Sequence, residues 1–299
     1  MAITAFCLWG LLPAYIGLIK HMPIADLTAW RAVFAAIAVI VGMMLTQHLR
    51  PALAQIKTLA SPAPFRFILG PIITATALGT SWIVLFYCVQ INRVVDVALG
   101  FFLTPLFIAL TGWIVLREKL TPLQWLALAI TGSGLLILVL RFEGVPWVPF
   151  SIVFCISLYA LIRKTSALQP MSALLLESLI LVPPALIWLA FGGQFGSLGF
   201  SGVTVNRGLD LLLVAGAGIF TIVVMSLWLA ASRRLRLTTI GILGYIEPTV
   251  TLLVGIWLFN EPLSQTRLLV FSLVWVGMLI YIADLLRLAR QQPTQVATS

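Results

Sequence analysis

The sequence predicts an all-α polytopic membrane protein, with ten transmembrane helices arranged as two inverted five-helix repeats. Three observations carry this expectation. Of 299 residues, 61% are hydrophobic and only 9% charged, with a mean hydropathy of +1.12, which leaves too little polar surface for a soluble globule. Ten apolar runs each reach the length, about 18 residues, that crosses a ~30 Å hydrocarbon core. The segment LGFFLTPLFIALTGWIVLREKL returns as ILGYIEPTVTLLVGIWLFNEPL, so that an offset of 143 lays Pro105 on Pro248, Gly112 on Gly255, Glu118 on Glu261 and Gly134 on Gly277.

The apolar runs fall at 2–19, 26–46, 67–91, 94–116 and 122–140, then at 146–162, 171–191, 208–231, 238–259 and 266–286. The first begins beside Met1 with no basic segment and no small-residue cleavage site, the pattern of a retained helix rather than a signal peptide. Between the second and third, QHLRPALAQIKTLASPAPFR is a basic connector, expected to be a solvated loop, with a segment lying at the headgroups as the alternative. The third run sets Thr76, Thr80, Tyr87 and Gln90 at helical spacing, with Ile83 completing the stripe. Such a stripe suits either the wall of a polar cavity or hydrogen bonding between helices. Pro105 in the fourth run and Pro248 in the ninth lack a backbone N–H, so each should kink its helix by freeing the carbonyl of Phe101 or Gly244.

Glu118 and Glu261 each follow a helix C-terminus, where the macrodipole disfavours negative charge. A turn-stabilising role is expected for both, held by an amide of the following helix start or by a cation such as Lys119 or Arg267. The glycine-rich GGQFGSLGFSG at 192–202 lacks a GK[ST] ending and is no phosphate cradle.

Five helices per unit is an odd number, so the second unit starts on the opposite side of the membrane and the repeats are inverted. The first unit spans 1–144, the second 145–286, and 287–299 form a polar tail. With both termini cytoplasmic, the inside segments hold Arg50, Lys57, Arg66, Arg117, Lys119, Arg163, Lys164, Arg233, Arg234, Arg236, Arg287 and Arg290, against Lys20, Arg93, Arg141, Arg207 and Arg267 outside. That asymmetry satisfies the positive-inside rule. It also makes the net charge of +9 a topology signal, and not a nucleic-acid footprint, which needs cations gathered on one folded face.

Cys7, Cys88 and Cys155 stand apart in apolar helices, and the only histidines are His21 and His48. Neither a metal site nor a disulfide is expected, and no catalytic constellation or cofactor motif is present, so no enzyme activity or cofactor is expected. The chemistry lies instead in charges at membrane depth. Arg31, Glu177 and Glu247 each cost a few kcal/mol to insert, so each should face the bundle interior or a wet cavity. Counting ~1.5 Å per residue, Arg31 and Glu177 are separated by on the order of 12 Å along the membrane normal, and Glu247 lies near the midplane between them. The alternative for each is a hydrogen bond to neighbouring backbone. Trp9, Tyr15, Trp82, Tyr159, Trp228 and Tyr245 offer flat apolar faces with a polar edge for an amphipathic ligand. Tyr87 and Gln90 join them from the third-helix stripe. Repeated halves, midplane prolines and buried charges together point to transport, since a site between halves opens to either side when one rocks against the other.

These residues carry a resemblance. TPLFIALTGWIVLREKL and its echo IEPTVTLLVGIWLFNEP resemble the EamA domain of the drug/metabolite transporter superfamily. LWGLLPAYIGLIK, the Trp30–Arg31 pair, SWIVLFYCVQIN, YALIRK, LLESLILVPPA and RRLRLTTIGILGYIEPT are similar to its RarD group, the chloramphenicol-sensitivity permeases of bacteria. The resemblance covers nearly the whole chain. It implies ten helices in two inverted repeats and an inner-membrane permease that exports small amphipathic or amino-acid-like metabolites or drugs, with the bilayer as partner; protons join as a coupling ion if they compete with substrate for the Glu247 carboxylate. Over this sequence it supports Trp9, Gly10, Pro13, Tyr15, Arg31, Arg163, Glu177, Tyr245, Pro248, Glu118 and Glu261. Thr104 departs from the asparagine that commonly precedes the helix 4 proline.

Overall fold

The structure is a computed structural model that describes residues 1–61, 64–141, 146–192, 207–232 and 243–291. The expectations for 193–202, for Arg233, Arg234 and Arg236, for the start of the ninth helix and for the Trp228 side chain lie outside the described residues. The chain runs through α1 (Ala2–Gly17), α2 (Ile24–Leu45), α3 (Leu49–Ala60), α4 (Pro64–Gln90), α5 (Val94–Leu116), α6 (Pro122–Arg141) and α7 (Trp147–Thr165). It continues with α8 (Pro170–Ile187), a π-helical turn (Trp188–Gly192), α9 (Arg207–Ser232), α10 (Ile246–Trp257) and α11 (Gln265–Gln291). No strand occurs among the described residues.

Seven of these helices are long and apolar enough to cross a membrane: α2, α4, α5, α6, α7, α8 with its π-helical turn, and α11. Ala2–Gly17, Gly208–Thr221 and Ile246–Trp257 are shorter apolar helices. At ~1.5 Å per residue, a helix of about 20 residues spans the hydrocarbon core, a length that these seven reach.

Three features depart from the sequence reading. The connector between the second and third runs is not a solvated loop. Leu49, Ala52, Ile56 and Leu59 recur at helical spacing, and α3 lays this face on Val39, Met43 and Leu175 while Arg50, Lys57 and Thr58 stay exposed. At Pro248 the described backbone shows a break, at the Gly244 whose carbonyl the proline was expected to free, and the residues just before Leu243 lie outside the described residues. The chain turns at Gly244–Tyr245, and α10 starts at Ile246 with Pro248 in its first turn, where a missing N–H removes no helical bond. Pro105, by contrast, lies inside the unbroken α5. The polar tail also begins later than its composition suggests, because α11 carries on to Gln291.

Packing runs mainly between the two halves of the sequence. α1 packs on α9 and α10, α2 on α8 and α9, α4 on α7 and α8, α5 on α7 and α10, and α6 on α11. Apolar side chains gain nothing from leaving lipid for another helix, so close approach rests on small residues. Gly10 shows this best: a Cβ there would sit 2.5 Å from Val250 Cβ and 2.6 Å from the Glu247 carbonyl oxygen. The backbones of α1 and α10 therefore touch at the level of Glu247, and the Thr251 hydroxyl donates to the Gly10 carbonyl across the same seam at 3.4 Å.

Candidate functional site

α2 carries Arg31 inward, where it is 8% exposed. Its guanidinium carbon lies 3.4 Å from the centroid of Trp82 and 5.7 Å from that of Phe86, both on α4. This is close cation–π stacking in a desolvated place. Among the described residues no carboxylate pairs with it, and its buried Nε has no hydrogen-bond partner. Aromatic faces stabilise the charge without using the guanidinium's in-plane N–H groups. The edge remains free to bind an anion or a carbonyl.

Glu247 sits in the first turn of α10 and is partly buried. The helix dipole favours a carboxylate there. Arg31 and Glu247 do not form an ion pair among the described residues. Tyr245, just before Glu247, is buried among Val95, Leu99, Phe102 and Leu252, and its hydroxyl has no hydrogen-bond partner among the described residues.

The other expected ligand contacts are placed as follows. Trp9 is half-buried, with its ring 6.5 Å from Phe6. Tyr15 donates to the Leu213 carbonyl at 2.6 Å and stacks on Phe220, joining α1 to α9. Gln90 donates to the Met22 carbonyl at 2.6 Å. Tyr87 is exposed and lies against Trp147, and Thr76, Thr80 and Ile83 on the same stripe are exposed too. Thr104 bonds back to the Gly100 carbonyl at 2.9 Å.

Glu177 forms a separate group. Its carboxylate accepts the Thr74 hydroxyl at 2.7 Å and faces the Tyr159 hydroxyl at 3.5 Å. It lies at the end of a cavity of about 450 Å³ that Arg163 also lines. Sequence reasoning missed Thr74, whose one signal was its place a turn beyond Pro71, off the stripe of Thr76, Thr80, Tyr87 and Gln90.

The two ends of the bundle differ. At the end holding the α1–α2, α4–α5 and α10–α11 connections, Glu261 is buried and reaches across to the start of α5, accepting from the amides of Val94 and Val95, the latter at 2.9 Å. The partner is the first turn of α5 rather than of the following helix. Burial pushes the Glu261 carboxyl up, and the Val95 and Val94 amides pull it back. Beside it Asp96 holds Arg93 at 2.6 Å and Arg267 at 3.0 Å. Asp210 meets His21 at 3.1 Å, and Asp26 accepts the Trp188 indole at 2.8 Å. The Arg93–Asp96 clamp was readable as an R-x-x-D spacing at a helix start. At the opposite end Glu118 is exposed and paired with Lys164, not Lys119, and cavities of about 450 and 330 Å³ lie beside Glu177 and Glu118.

Comparison with known proteins agrees with this arrangement. Residues 1–140 match the EamA-like transporter family. An uncharacterized transporter of Pseudomonas aeruginosa is 31% identical over 98% of this chain and 95% of its own length. Protein RarD of Escherichia coli is 30% identical over 95% and 93%, and an uncharacterized transporter of Bacillus subtilis 29% over 93% and 91%. A solved crystal structure with 18% identity has a TM-score of 0.59 over 98% of this chain and 97% of that one, a likeness of fold.

Proposed function

The chain belongs to the EamA-like transporter family as a RarD-like multi-pass membrane transporter, and from that premise we propose a permease that exports small amphipathic or amino-acid-like metabolites or drugs by alternating access. Its ten membrane helices form two inverted repeats, residues 1–144 and 145–286, in a bacterial inner membrane with both termini cytoplasmic. The helix pairings support the repeat. Exchanging α1, α2, α4, α5 and α6 with α7, α8, α9, α10 and α11 turns the α1–α10 pair into α7–α5, α2–α9 into α8–α4, and α1–α9 into α7–α4, all of which are present.

The observation that carries the reading is Arg31: a buried guanidinium on an aromatic platform with no carboxylate among the described residues to neutralise it. Membrane-buried charge is costly, and a site that leaves one open is suited to an anionic or strongly accepting group on a passing ligand. The half-buried Trp9 and the buried Tyr245 supply the flat faces for the ligand's apolar body. Glu247, at the start of α10 and held against α1, is the group through which protons couple to cargo if the two compete for its carboxylate.

The test is flux in proteoliposomes across a pH series, with labelled chloramphenicol as drug probe. Metabolites that differ between cells lacking and overproducing the chain extend the set. Arg31→Gln should lower flux at least about tenfold, the size expected when one charged hydrogen-bonding contact is lost. Glu247→Gln should flatten the pH dependence. Variants that stay folded and keep both the rate and its pH profile would remove Arg31 and Glu247 from the transport cycle, whereas no flux by the native chain would sink the reading and leave a non-transporting scaffold, or less readily an enzyme, as the alternative.

A further inference from the structure

Glu177 and Arg163 line one cavity and do not touch. The cavity lies between α3, α4, α7 and α8, with Leu59, Phe67 and Ile162 forming its apolar wall, and its volume of about 450 Å³ falls within the ~300–1,000 Å³ of small-ligand sites. Glu177 is almost wholly buried, 2% exposed. A carboxylate has roughly four acceptor positions. Here the Thr74 hydroxyl at 2.7 Å fills one, and the Tyr159 hydroxyl at 3.5 Å is at the outer limit of hydrogen bonding. The Thr74 oxygen is also 3.1 Å from the Pro71 carbonyl, but it has a single proton to give.

Arg163 stands in the last turn of α7, where the helix dipole favours a cation. It interacts electrostatically with Glu177 and with Tyr159, yet the two charges do not close into an ion pair. Opposite charges brought to one buried place usually collapse onto each other, since that is the cheapest way to offset their lost hydration. Here both reach toward the Tyr159 hydroxyl instead and line the same cavity, with the hydroxyl-bearing Thr165 and Ser166 at the Arg163 side.

We propose that this crevice binds a zwitterionic group, with its ammonium on the Glu177 carboxylate and its anionic end on the Arg163 guanidinium. The mouth lies at the end of α7 beside the surface helix α3, so two sources fit one chemistry: the headgroup of phosphatidylethanolamine, or a soluble molecule such as phosphoethanolamine. Binding here does not depend on transport, so failure of the proposed export would leave it standing.

The purified protein is incubated with vesicles of phosphatidylethanolamine or phosphatidylglycerol, and lipid retention is read by native mass spectrometry. In parallel, thermal unfolding is followed with phosphoethanolamine, ethanolamine or inorganic phosphate. Preferential retention of phosphatidylethanolamine identifies a lipid site. A larger thermal shift with phosphoethanolamine than with either half-molecule identifies a soluble ligand. In either case Glu177→Gln and, separately, Arg163→Gln should weaken binding by about tenfold or more, the effect of removing one member of a buried charge contact. Arg163, nearer the mouth, keeps the test available where Glu177→Gln fails to fold. Equal retention of both lipids with no advantage for phosphoethanolamine over phosphate overturns the proposal, as does undiminished binding to the Arg163 variant.

Discussion

The two repeated elements end alike and then diverge. Each closes with a left-handed residue, Arg117 at φ 57° and Asn260 at φ 52°, and each following glutamate donates its amide to the matching glycine carbonyl, Glu118 to Gly112 at 3.2 Å and Glu261 to Gly255 at 3.1 Å. Beyond the backbone they part. The space over Gly255 is filled by Val95 from the other half, with Cγ2 2.8 Å and N 3.1 Å from where a Cβ would lie, and the Glu261 carboxylate takes the amides of Val94 and Val95. The space over Gly112 is filled by the side chain of Glu118 itself, whose Oε2 would lie 2.8 Å from a Cβ, and its carboxylate pairs at the surface with Lys164. One motif thus appears in an engaged and a disengaged form. What differs is whether a helix N-terminus from the opposite half stands within reach.

The strongest way to break that comparison is to remove both carboxylates in turn. Glu261→Ala should lower unfolding stability by about 1.5–3 kcal/mol, because it strips buried amides of a charged acceptor, whereas Glu118→Ala should cost under ~1 kcal/mol as an exposed pair. Thermal unfolding of the purified variants measures both. Equal effects would remove the distinction.

Next in size are the glycines. Gly255→Ala presses a methyl group against the Val95 backbone and should cost about 1–3 kcal/mol. Gly112→Ala has only the far end of a flexible glutamate to displace and should cost less than half as much. A larger loss at Gly112 would show that its end of the bundle is the tighter one.

The smallest effect belongs to Lys164→Gln. It should change stability by no more than about 0.2–1 kcal/mol, and ~1 M salt should erase the difference, since its pair with Glu118 is open to screening. A loss that persists in high salt would mean that this pair is shielded in a way its exposure does not suggest.

Local periodicity made most of the helices legible. Apolar length located the seven membrane-length helices within a few residues, and the repeat showed where the two matching turns must lie. What escaped were facts set by distant partners. Residue order gives no hint that Glu261 binds the start of α5 instead of the helix that follows it, or that Arg31 stacks on Trp82 rather than meeting a carboxylate. The break at Gly244–Tyr245 escaped for a different reason. A proline and a glycine close together support either a kink or a fresh helix start, and tertiary packing of α1 on the first turn of α10 accompanies the second. α3 was mistaken for a loop because it is short and its apolar positions are interleaved with Arg50, Pro51, Gln55 and Lys57, and only the surface offered by Val39, Met43 and Leu175 makes them a face.

The seam at Gly10 also bears on how the chain is made. The bond from Thr251 to Gly10 joins residues 241 positions apart, and α1 has its main neighbours in α9 and α10. At ~5–20 residues per second, roughly 12 to 50 s of translation pass between the emergence of the first helix and that of its partner. Throughout that interval the glycine notch of α1 stays unmatched, so a segment made early is among the last to reach its final neighbours.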